Sequence, residues 1–145
     1  MTTTRGPRAT VLRALVDLRL EDARALLAVS VQSKQPQRRN GAVYLGGYAV
    51  ECALKARICA DRRTRTLEAQ YFTHDLERLA QATTASLALA GDLSLRRRFV
   101  RIISTWDVSL RYTARHWDAA EVERFLTMVK DLTQWLFASW SQPKP

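Results

Sequence analysis

An all-α fold is predicted by three features of the 145-residue sequence. No segment alternates apolar and polar residues with period two. Apolar residues recur instead at three- and four-residue spacing. Glycine and proline are confined mostly to joints. Long helices with short joints favour an antiparallel bundle of about five helices. The length suits a single domain over residues 1–145, with an ordered core from about 9 to 140 and short flexible termini.

The first helix is expected from about Thr10 to Gln32, where Leu12, Val16, Leu20, Ala23 and Leu27 form one apolar face. The polar joint SKQPQRRNG carries the breakers Pro36 and Gly41. A second helix follows from about Asn40 to Arg62, then a short third one in THDLERLAQAT, capped by Thr73 or Asp75. The fourth is expected from Asp92 to about Arg111, with Phe99, Ile103, Trp106 and Leu110 as its stripe. The fifth starts in DAAE, with Asp118 as N-cap and Glu121 three residues on, and buries Val122, Phe125, Val129, Leu132 and Leu136.

The second helix contains adjacent glycines inside a nearly continuous apolar run, AVYLGGYAVECALK. Ala42, Gly46, Ala49, Ala53, Ala56 and Ala60 fall along one side, and Val43, Gly47, Val50, Leu54 and Ile58 beside them. A stripe of small residues lets a neighbouring helix approach closely, which offsets the ~1 kcal/mol each glycine costs a helix interior. This should be the central helix. Its remaining sector holds Tyr44, Tyr48, Glu51 and Lys55. Two readings are open for Glu51: a solvent edge with an i,i+4 pair to Lys55, or a carboxylate facing a polar site.

The formal charge is +9, and the cations are mostly arginine. That balance fits an anionic partner, nucleic acid or an acidic protein face, and equally fits arginine used as a general surface cation. No apolar run reaches the roughly 18 residues of a membrane span, and MTTTRGPR lacks the apolar stretch of a secretory signal. A cytoplasmic protein is therefore expected. Cys52 and Cys59 would lie about 10 Å apart along one helix, too far to bridge, and read as small core residues. No Cys or His pair has zinc-ligand spacing, so neither metal nor cofactor is expected.

Nucleophile elbows and glycine-rich phosphate loops are missing from the sequence, which leaves a histidine working with an arginine as the candidate chemistry. His74 and His116 are the two histidines. WDVSLRYTARHWD joins the last two predicted helices and holds Arg111 and His116. On one regular helix, residues five apart point about 140° apart, so the pair can cooperate only if the chain turns between them. Together they suit RNA cleavage. Histidine moves protons at the ribose hydroxyl or the leaving oxygen, and arginine braces the phosphate where charge develops. Arg111, Arg115 and a helix N-terminus beside His116 favour the neutral ring that acts as base.

Taken together, AVYLGGYAVECALKARI, THDLERLA and an RY followed by a histidine resemble the HEPN domain family, over roughly Leu18 to Leu136. The resemblance implies a small helical bundle that dimerises and, in many members, a metal-independent ribonuclease with an R-x4-6-H motif. Here the motif reads RYTARH, so Arg111 and His116 match the catalytic positions, with motifs of two subunits meeting in a composite cleft. Glu51 matches a helix position that can face that cleft. Arg115 and Tyr112 stand beside the catalytic pair. Arg97, Arg98 and Arg101 either form a track for RNA phosphates or a solvated face.

The implied function is a homodimeric endoribonuclease, the toxin half of a toxin–antitoxin or defence system, with RNA as substrate and a cognate antitoxin as partner. RY is also common in members encoded beside a minimal nucleotidyltransferase. The alternative is thus a non-catalytic module that pairs with a nucleotidyltransferase or another protein. Tyr112 and Trp117 fit an interface, and either could equally be core.

Overall fold

The computed structural model describes residues 5–111 and 115–141, excluding the side chains of 111 and 139–141. Six helices dominate: α1 (Ala9–Gln32), α2 (Arg38–Arg62), α3 (Leu76–Gln81), α4 (Ser86–Gly91), α5 (Leu93–Thr105) and α6 (Ala119–Ser141). Two 3-10 turns, Ala69–Tyr71 and Val108–Arg111, complete the helical elements. There is no strand among the described residues, although an isolated antiparallel bridge joins Arg8 to Thr66.

Hydrogen bonds at both ends of α1 and α2 fix them as an antiparallel hairpin. Arg39 Nε donates to Ser30 Oγ at one end (3.1 Å), and the Ala9 amide donates to the Arg65 carbonyl at the other (2.8 Å). The four long helices alternate in direction. α6 runs parallel to α2, since Trp117 just before it meets Asn40, while Leu136 near its end meets Arg57. α5 runs antiparallel to α6, with Arg98 near Asp131 and the residues just after Thr105 close to the start of α6. A helical bundle results, in which α2 packs antiparallel to α1 and parallel to α6.

α6 approaches α2 most closely where side chains are small, and Gly46 supplies such a place. A Cβ there would come 2.7 Å from Leu126 Cδ2 and 3.0 Å from Phe125 Cε1. Its neighbour has another partner. A Cβ on Gly47 would fall 2.0 Å from Trp106 Cδ1, so the indole occupies the space a side chain would need. Trp106 is buried there and donates its Nε1–H to the Tyr44 carbonyl (2.9 Å). α2 is buried on nearly every side from Ala42 to Cys59 and is the central helix, as its composition predicts.

Asp75 and Asp92 cap α3 and α5, accepting from the amides of Arg78 and Leu95 (3.1 Å each). α6 buries all five residues of the expected stripe. Two boundaries differ from expectation. The segment before Asp92 forms the extra helix α4, tied to α2 by Asp61, which accepts from the Thr84 amide (2.8 Å) and from buried Arg57 (2.9 Å). α5 ends at Thr105 rather than near Arg111, because Trp106 adopts an extended conformation to reach Gly47. The α5 core stripe is Leu95, Phe99 and Ile102, with Ile103 only partly buried.

The two glycines should respond differently to a methyl group. Gly47→Ala meets a rigid ring and should lose about 1–3 kcal/mol in urea unfolding, even against the ~1 kcal/mol helix-propensity gain. Gly46→Ala meets a movable leucine tip and the edge of the Phe125 ring at 3.0 Å, a milder clash, and should lose less than half of that; equal losses would contradict the seat assigned to Trp106. Burial pushes the Cys52 thiol up to about 12 and that of Cys59 in the same direction. Stability should therefore fall as pH rises above the ordinary thiol value of 9.0. Near neutral pH, a thiol reagent should label both cysteines only after unfolding.

Candidate functional site

Beyond Trp106 the chain turns tightly. Asp107 Oδ1 accepts from the Ser109 amide (3.1 Å) and its carbonyl from the Leu110 amide (3.0 Å), which starts the 3-10 turn ending at Arg111. Asn40, in the first turn of α2, then holds both ends of the loop. Its Nδ2 donates to the Leu110 carbonyl (2.5 Å), and its Oδ1 accepts from Trp117 Nε1 (3.1 Å). A carbonyl only accepts and an indole N–H only donates, so these partners fix the amide's orientation. Arg39 adds a third hold through Nη1 to the Trp117 carbonyl (3.1 Å).

The polypeptide therefore folds back between the turn and α6. Arg111 and His116 are the first residues beyond the two held ends. The Arg111 backbone closes the 3-10 turn, while its side chain and Tyr112 lie outside the described residues. His116 is exposed. Arg115 lays its guanidinium 3.7 Å from the centre of the Trp117 ring and lies 3.8 Å from Glu121 Oε2. The other Glu121 oxygen accepts from the Asp118 amide (3.2 Å), the expected cap of the last helix. Of the two readings for Trp117, core is the one observed: only 3% of the residue is exposed.

A groove of about 540 Å³ runs between α5 and α6 beside this loop. Arg98, Arg101, Arg115 and Arg124 line it, with Glu121 and Asp131 among them. The three arginines expected to act together divide. Arg98 turns toward Asp131 (3.9 Å), whereas Arg97 lies with Arg96 and Val100 on the outer side of α5. Arg101 touches both surfaces. The separation follows from helix geometry, since consecutive residues point about 100° apart.

Glu51 does not form a solvent edge. It is 2% exposed, although the expected pair with Lys55 does form (Nζ to Oε2, 3.1 Å). The burial comes from the segment before α3, which brings His74 Nδ1 to 2.7 Å from the other carboxylate oxygen. Glu51 lies eleven residues after Asn40, about 16 Å along α2 from the clamp on the Arg111–His116 loop. His74 lines a cleft of about 390 Å³. Thr73, His74 and Asp75 form one wall, and Trp106, Asp107 and Val108 the other.

Sequence reasoning missed the roles of Asn40 and of the Glu51–His74 pair. The joint RRNG marks a helix start, and THDLE marks a cap, but neither spacing says what the side chains meet. No family profile, curated protein or solved structure matches this chain.

Asn40→Ala should strand the Leu110 carbonyl and the Trp117 indole N–H, costing about 1–3 kcal/mol. It should also accelerate amide hydrogen exchange in residues 115–118. Asn40→Asp keeps the acceptor for Trp117 but loses the donor to Leu110, and should fall between wild type and alanine. Unchanged exchange in Asn40→Ala would show that the loop is held by something else.

Proposed function

We propose that the protein is a metal-independent endoribonuclease of the HEPN type, active as a homodimer. In this reading it is the toxin half of a toxin–antitoxin or defence system. Arg111 braces the phosphate as negative charge builds up, and His116 moves a proton at the reacting oxygens. The observation that carries the reading is the Asn40 clamp. By tying the Leu110 carbonyl and the Trp117 indole to one amide, it anchors the chain on either side of the two motif residues.

The arginine groove between α5 and α6 gives an RNA strand a phosphate-binding approach to that loop, through Arg98, Arg101 and Arg115. Arg97 faces the outer side of α5 and contributes to a broader positive field. A helical bundle built around a glycine-containing central helix is compatible with a HEPN-like fold.

A second reading is favoured by exposed apolar side chains. Leu87 is 85% exposed and Leu93 61%, with Val100 also exposed on the outer side of α5. Such a surface suits a non-catalytic module that pairs with a nucleotidyltransferase or another protein.

RNA cleavage in EDTA separates the two. Wild type should cleave, and Arg111→Ala and His116→Ala should each lose about 10²–10⁴-fold in rate. Equal cleavage by all three would indicate a contaminating nuclease. No cleavage by wild type would favour the pairing module.

A further inference from the structure

α1 and α5 each turn a face with apolar side chains away from the bundle. On α5, Leu93 is 61% exposed and Val100 54%; on α1, Leu18 is 50% exposed. Single exposed apolar residues are ordinary, so the charges around them decide what these faces can do. Arg96, Arg97 and Arg101 surround Leu93 and Val100, and no carboxylate lines that surface. None of the three forms an ion pair among the described residues.

The α1 face has the opposite sign. Asp17, Glu21 and Asp22 are exposed around Leu18. The arginines of α1 are turned to the neighbouring helices instead. Arg13 lies over the Phe137 ring of α6 (4.7 Å), Arg24 reaches Glu123 of α6 (3.4 Å), and Arg19 leans over Tyr48 of α2 (5.8 Å). Of the three acids, only Asp22 has an ionic partner among the described residues, Arg19 at 3.1 Å. That pair is exposed on the surface, where such a contact is worth little and exchanges readily.

We infer that α1 of one copy docks antiparallel on α5 of a second copy, acid face to arginine face. One register satisfies both helices. With Leu18 against Val100, Glu21 meets Arg97 and Asp22 meets Arg96, while small Ala25 leaves room for Leu93. Asp17, one residue before Leu18, falls opposite Arg101, one residue after Val100. A parallel arrangement with Leu18 against Leu93 would set Asp17 against Asp92 and leave Arg101 opposite Leu26. Like charges would then meet, so the antiparallel register is the one that fits. RNA phosphates would gain nothing from Leu93 and Val100, whereas an acidic helix with an apolar centre uses the whole face.

Both faces point away from the bundle, so they cannot meet within one copy. A contact between two different patches is heterologous, and every copy keeps one free face of each sign; chains or rings of copies follow. One helix on one helix is a small interface, which makes the contact weak and sensitive to salt. It is separate from the twofold cleft of the ribonuclease reading and stands whether or not the chain cleaves RNA.

Disulfide trapping in the full chain tests the contact, since the native Cys52 and Cys59 are buried. Under a mild oxidant, Leu18→Cys mixed with Val100→Cys should give a linked mixed pair. Leu18→Cys mixed with Leu93→Cys should link at least about tenfold more slowly, because its sites lie about 10 Å out of register. Adding Glu21→Arg to the Leu18→Cys chain, or Arg97→Glu to the Val100→Cys chain, should slow linking about tenfold, and combining the two should restore it. These positions are all exposed, so the fold should tolerate the changes. No preference for the Leu18–Val100 pair would overturn the inference, and is the result expected if the α5 face serves RNA or an unrelated acidic protein. Linking that ignores the charge reversals, or that the double swap fails to restore, would overturn it equally.

Discussion

The seat of Trp106 on Gly47 is the constraint from which the geometry of the candidate site follows. The indole takes the volume that any side chain at position 47 would fill, and its N–H is satisfied by the Tyr44 carbonyl one turn earlier. To reach that place the backbone must leave the helical path at Thr105. α5 ends there for a tertiary reason. The Asp107 turn begins immediately, and Val108–Arg111 is carried across the face of α2. The same indole forms part of the cleft wall opposite His74.

α2 acts as a rail on which separate tertiary contacts are mounted in order. Arg39 and Asn40 hold the ends of the loop containing the motif, Gly47 receives Trp106, and Glu51 orients His74. A helix rises about 1.5 Å per residue, so these attachments are spaced rigidly over less than 20 Å. Burial of α2 by α1, α6 and the α3 segment gives that spacing its stiffness. The geometry of the candidate site is thereby tied to the best-packed element of the fold, which is how a site on loops keeps a defined shape.

The elements that repeat were legible in the sequence, and those set by single long-range contacts were not. The apolar period of α6, the cap at Asp75, the start of α5 at Asp92 and the small-residue logic of α2 all reflect local rules, and each appears in the structure. The end of α5 was misplaced because Trp106 and Leu110 keep the helical period although the chain has already left the helix. Glu51 stayed open between an edge residue and a carboxylate facing a polar site, because periodicity shows which residues share a face, not what covers that face. The cover is His74, 23 positions later. Asn40 left no signal, since one asparagine in a polar joint looks like any other turn residue.

Charge behaved similarly. The excess of arginine was visible, but its division between a groove and an outer face depends on the 100° step between neighbours and on Asp131 lying opposite Arg98. What gathers beside the motif loop is the set Arg98, Arg101, Arg115 and Arg124, drawn from two helices and the loop.

With two histidines in the chain, their ring signals give a direct view of the site by nuclear magnetic resonance. The most direct measurement titrates the protein with a 2′-O-methyl RNA strand, which binds but has no hydroxyl to attack. If the strand's phosphate is held at Arg111, the His116 resonances should shift saturably, and Arg111→Ala should abolish that response. Saturable binding that leaves the His116 ring unmoved would contradict the account.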